Sequence, residues 1–156
     1  MISATHFHAM IIHFPIALLM AGFLSEILGL VTKKEFYKNA AVFLLLLGAL
    51  GAIVAYVSGN LAGEGIGEGP LKDPLELHEL AANVTLWLAV VTALLRVIVF
   101  YFKYDRRWIR WSFIILFTVL AGSVATTGYL GGQLVYKHAA GVQLALPDFG
   151  NISNED

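Results

Sequence analysis

Four apolar stretches, 9–31, 40–58, 80–102 and 111–136, constrain this 156-residue sequence more than any other feature. Each is close to the roughly 20 residues that carry an α-helix across a bilayer. In hydrocarbon, backbone N–H and C=O groups must be paired inside the protein, and a helix does this within its own segment. The sequence therefore predicts an all-α fold, an integral membrane four-helix bundle over residues 1–146, with a polar tail over 147–156. Composition agrees: 58% of the residues are hydrophobic and 13% charged, against roughly half and a quarter in soluble domains. A soluble globular enzyme is excluded.

The chain has no cysteine, which removes disulfides, zinc–thiolate sites, iron–sulfur ligation and covalent c-type haem attachment. Site chemistry must rest on nitrogen and oxygen. The net charge of −1 provides no concentrated basic face for phosphate neutralisation, so nucleic acid is not an expected partner.

Charge also sets an expected orientation. Lys33, Lys34 and Lys38 lie in the loop after the first stretch, and Lys103, Arg106, Arg107 and Arg110 in the loop after the third, so seven of ten basic residues fall on one side. The other side has Lys72 and Lys137. The positive-inside rule puts the basic loops in the cytoplasm and both termini outside. Tyr37, Tyr101, Tyr104, Trp108 and Trp111 mark the inner boundary, and Tyr56, Tyr129 and Tyr136 the outer one. No Lys or Arg precedes the first stretch, which is too long for a signal core and is expected to be a retained helix.

Within this frame Pro15 predicts a kink, because it lacks the N–H that would bond the Ile11 carbonyl and its ring clashes there. Asp73, Pro74 and Glu76 predict a helix start ahead of the membrane, with Asp73 as cap. Gly131 and Gly132 predict a break or bend in the fourth helix. The glycine-rich 59–69 segment, carrying Glu64 and Glu68, lacks the strand and lysine of a phosphate loop and is expected to be a flexible cover. Helices 1 and 3 run in one direction and helices 2 and 4 in the other, a two-hairpin plan with no clear sequence repeat. Glu26 and Arg96 lie at matching depths inside apolar spans and are expected to pair, in a structural role rather than as a proton path.

All five histidines, His6, His8, His13, His78 and His138, fall on the extracytoplasmic side in this topology. His8, His78 and His138 share one layer, and His13 lies five residues deeper, roughly 7 Å at helical rise. A single histidine at an interface is unremarkable as an amphipathic ring. An ionisable ring inside the span, as for His13, usually faces a partner, a cavity or a metal. Neutral imidazole ligates haem iron, copper and zinc. The small residues Gly51, Ala55 and Gly59, then Ala121, Ala125, Gly128 and Gly132, form narrow stripes on helices 2 and 4. Such stripes serve helix–helix contact more often than a cofactor wall.

Joined together, these features lead to a b-type haem electron-transfer protein, a component of a redox chain rather than a classical catalytic enzyme. His13 and His78 are the preferred axial pair, with His8 and His138 as a second pair or as orienting groups, and Gly51, Gly59, Gly128 and Gly132 as candidate walls. Lys72, Lys137 or loop amides would meet the propionates. The alternatives are a copper or zinc site built from His13, His78, His8 and His138, and a structural or assembly subunit. Expected partners are the lipid bilayer, a quinone and a periplasmic redox protein; a homo-oligomer or a larger membrane complex fits the same reading. No nucleophile with a base, paired carboxylates or phosphate loop is present to suggest classical catalysis.

The residues His13-Phe14-Pro15-Ile16-Ala17-Leu18, Gly59, His78, the run from Gly131 to His138 and Gly141-Val142 together resemble the domain-of-unknown-function 2231 family of bacterial membrane proteins. The resemblance spans nearly the whole chain and implies four helices in a bacterial cytoplasmic (inner) membrane. Members resemble components of respiratory or electron-transfer gene sets, sometimes joined to Rieske-type or c-type cytochrome domains. That implies a shared site at His13, His78 and His138. The chain departs from the pattern after His138, where Ala139 and Ala140 precede Gly141.

Overall fold

The computed structural model describes residues 2–64, 66, 68–102 and 106–142. The polar tail lies outside the described residues. Five helices make four membrane-length columns: α1 (Ala4–Ile11) continuing into α2 (His13–Thr32), then α3 (Glu35–Gly63), α4 (Lys72–Tyr101) and α5 (Arg107–His138). Each column is long and apolar enough to cross a bilayer. Outward positions such as Leu24, Phe43, Leu50, Leu94 and Ile115 are exposed and apolar, as suits a lipid solvent.

The first column breaks at Ile12, where the sequence places the Pro15 kink. Pro15 cannot bond the Ile11 carbonyl, while Ile12 N–H donates to the His8 carbonyl at 3.1 Å and Ile16 N–H to the Ile12 carbonyl at 3.3 Å. At the other end of α2, Lys33 turns left-handed at φ 59° and donates its N–H to the Gly29 carbonyl at 3.0 Å. Two expectations are corrected. Asp73 does not cap α4: Leu71 is the capping residue, with no side-chain cap bond, and Asp73 sits inside the first turn. Nor does α5 break at Gly131 and Gly132; it runs through both to His138 and stops at left-handed Ala139, with Ala140 N–H donating to the Leu134 carbonyl at 2.9 Å. Continuous helical bonding and the glycines' neighbours keep the helix whole, since glycine permits a bend but does not impose one. Part of the glycine-rich cover is also helical, because α3 extends to Gly63.

Packing is close because small residues let the helices approach. A Cβ on Gly48 would lie 2.7 Å from the Leu19 side chain, one on Gly51 3.3 Å from Pro15, and one on Gly22 3.2 Å from Phe117. Leu19, Leu45, Ala89, Phe117 and Leu120 form the centre. α2 packs beside α3 and α5, and α4 beside the same two, so α2 faces α4 across the bundle diagonal, as α3 faces α5.

Most of the buried positions of one hairpin recur in the other. Buried Pro15, Leu19 and Gly22 of α2 recur 70 residues later as buried Thr85, Ala89 and Thr92 of α4. Ala41, Leu45, Gly48, Ala49 and Ala52 of α3 recur 72 residues later as Phe113, Phe117, Leu120, Ala121 and Val124 of α5. The sequence shows no clear repeat because position is kept while size is exchanged: alanine and glycine on α3 stand where α5 has phenylalanine and leucine. The result is an approximate two-fold axis along the bundle.

Candidate functional site

Residues 70 apart on the diagonal columns stand at equivalent depths at both ends of this axis. At the end carrying the basic loops, Arg96 Nη2 donates to Glu26 Oε2 at 2.9 Å, with only 18% and 11% of the two side chains exposed. The Arg96 guanidinium also lies over the Phe113 ring, 5.1 Å from its centroid, a cation–π arrangement. The pair expected from matching depths is formed.

At the other end the equivalent residues are His8 and His78, near enough for a charge on one ring to act on the other. Each imidazole lies on a glycine of the adjacent helix. A Cβ on Gly59 would be 3.0 Å from His8 Cε1, and a Cβ on Gly131 would be 3.1 Å from His78 Cε1. In each case the backbone carbonyl four residues before the glycine, that of Ala55 or Thr127, lies beside the ring. The missing Cβ gives the imidazole access to that carbonyl.

The two rings are held differently. His8 Nδ1 is 3.0 Å from Ser58 Oγ, and Ser58 Oγ donates to the Ala55 carbonyl at 2.9 Å. A hydroxyl has one proton; with that proton on the carbonyl, Ser58 accepts from His8 Nδ1–H, and the neutral ring keeps its lone pair on Nε2. His78 Nδ1 is buried with no hydrogen-bond partner. Below His78, Thr85 Oγ1 bridges Ser123 Oγ at 2.6 Å and Thr127 Oγ1 at 2.8 Å, tying α4 to α5. Asn83 Nδ2 donates to Tyr56 Oη at 3.0 Å, tying α4 to α3.

The other sequence candidates lie elsewhere. His13 is exposed on the outside of the bundle, whereas His8 and His78 are partly buried. His6 is exposed. His138 lines a separate hollow of about 170 Å³ with Asp73, Pro74, Leu77, Leu130 and Gln133. Gly51 is filled by Pro15, and Gly128 and Gly132 have nothing within 4 Å of a Cβ position. Among the described residues no three His, Asp or Glu side chains converge as a metal-ligand group. Gly131, Ser58, Thr85, Ser123 and Thr127 were not singled out as site residues by sequence; the signal for Gly131 and Ser58 was their place one helix away at the depth of His78 and His8.

His8 and His78 come from diagonal columns, and each ring faces a glycine of the neighbouring helix. α1 packs on α3 and the start of α2 without a backbone approach to α4 or α5. A second hollow of about 230 Å³ lies on the lipid side of α1 and α3, lined by Phe7, Ile53, Val54, Val57, Ser58 and Leu61.

A protein family described as "Predicted membrane protein (DUF2231)" matches residues 4–144. The chain belongs to this family. Its description assigns the membrane and no activity, and it covers all four columns of the DUF2231 bundle. No curated protein and no solved structure matches the chain.

Proposed function

We propose that this DUF2231 protein is an electron-transfer component that holds haem b between His8 and His78, at the extracytoplasmic end of its bundle in a bacterial inner membrane. The observation that supports this reading is the equivalence of the two imidazoles, which come from diagonal columns and each lie on a glycine of the adjacent helix. Bound haem would supply one-electron chemistry, while the protein would supply its axial nitrogens, their orientation and a low-dielectric surround. Electrons would pass between a quinone in the bilayer and a periplasmic redox protein. A second reading is copper or zinc on the same imidazoles, since neutral imidazole ligates these ions as well as haem iron.

The test is an optical spectrum with element analysis of protein purified after haem supply. A six-coordinate low-spin haem spectrum is expected, lost in His8→Ala and in His78→Ala and retained in His13→Ala and His138→Ala. Stoichiometric copper or zinc without a Soret band would move the assignment to the second reading. A spectrum abolished by His13→Ala and indifferent to His8→Ala would end the proposal.

A further inference from the structure

Ser58, which hydrogen-bonds His8, has no counterpart in the other hairpin. The position 72 residues later is Leu130, which has no hydrogen-bonding side chain. The relation is reversed deeper in the bundle. Thr85, Ser123 and Thr127 hydrogen-bond to one another where the first hairpin has Pro15, Gly51 and Ala55 in apolar contact or with no side-chain donor. The two imidazoles thus occupy equivalent places but are held by different chemistry.

We infer that Ser58 is the positioning residue of this site, fixing His8 as the Nδ1–H tautomer so that His8 offers Nε2. The relay is explicit in the geometry: His8 Nδ1 to Ser58 Oγ at 3.0 Å, then Ser58 Oγ to the Ala55 carbonyl at 2.9 Å. Ser58 is 4% exposed, so neither lipid nor water competes for its hydroxyl. The Nδ1–H tautomer makes both hydrogen bonds at once, whereas the opposite tautomer would require the serine proton to turn from the Ala55 carbonyl to Nδ1, giving up one of the two in a buried place. A partner of this kind behind an imidazole fixes its orientation and raises its basicity toward a bound metal. Gly59 is part of the same device, since any Cβ there would press on the ring that Ser58 orients.

The inference rests on the two-imidazole reading for its purpose, but its test does not need a ligand. Nitrogen-15 spectra of histidine-labelled, haem-free protein in detergent, with the His8 signals assigned by their loss in His8→Gln, should show Nδ1 protonated and Nε2 bare. Ser58→Ala should abolish that preference and Ser58→Thr should keep it. Haemin titration should then weaken about ten-fold or more in Ser58→Ala and stay near wild type in Ser58→Thr, as for other residues that orient a ligating histidine. Melting curves alongside separate a ring effect from a folding defect. Nε2–H on His8 in the wild type, or a tautomer unchanged by Ser58→Ala, would overturn the inference even if haem binds. The expected tautomer in a protein that takes up no haem would instead overturn the haem assignment and leave the role of Ser58 standing.

Discussion

At the scale of single residues, the clearest contrast is between the two pairs on the bundle axis. Glu26 and Arg96 were readable from sequence because their long side chains and equal depth make pairing nearly independent of how each helix is rotated. His8 was weighed with four other histidines, because a short imidazole meets a partner only if its helix presents it inward, and depth does not report rotation. The ion pair also supports a direct prediction. Both groups are largely buried, and removing one leaves the other uncompensated, at a cost of about 3 kcal/mol. Glu26→Gln and Arg96→Gln should each lower unfolding stability in mixed micelles by about that amount, and Arg96→Gln also removes the cation over Phe113. The double replacement should recover much of the loss. A double variant no more stable than either single one would show that the two residues stabilise the bundle separately.

The elements explain why the site was only partly legible. The four spans follow from hydropathy alone, and the break in the first column follows from the chemistry of Pro15. That break lets α1 lean on α3 with His8 over Gly59, while His13, immediately past it, is turned to the outside. The stripe of small residues was also ambiguous: Gly51 and Gly59 look alike in sequence, yet one receives a proline and the other an imidazole. On α5 the adjacent glycines separate by about 100° of helical rotation. Gly131 faces His78, and Gly132 has nothing near its Cβ position. Gly131→Ala should therefore displace the His78 ring, whose Cε1 would be only 3.1 Å from the new methyl, and weaken haemin binding. Gly132→Ala should leave binding unchanged and, by helix propensity, add up to about 1 kcal/mol of stability. Equal effects of the two on binding would remove the glycine seat from the account of the site.

For the whole molecule, the pseudo-two-fold arrangement makes the two hairpins parallel, so orientation in the membrane is one binary choice shared by all four columns. Lys33, Lys34 and Lys38 connect or flank α2 and α3, and Arg106, Arg107 and Arg110 precede or open α5, putting them at the Glu26–Arg96 end. Lys72 and Lys137 are at the histidine end. By the positive-inside rule, an excess of basic residues beside short loops is expected to lie in the cytoplasm, which would place His8 and His78 toward the opposite compartment. The lack of native cysteine makes this directly measurable, because a single introduced thiol is the only labelling site. In intact cells a membrane-impermeant maleimide should modify Lys137→Cys readily and Lys34→Cys only after the membrane is opened. Lys34 and Lys137 are both exposed on the protein, so a difference between them reports sidedness rather than burial. The reverse pattern would turn the bundle over, placing the imidazole pair on the cytoplasmic side and excluding electron exchange with a periplasmic partner, while leaving the internal geometry of the pair untouched.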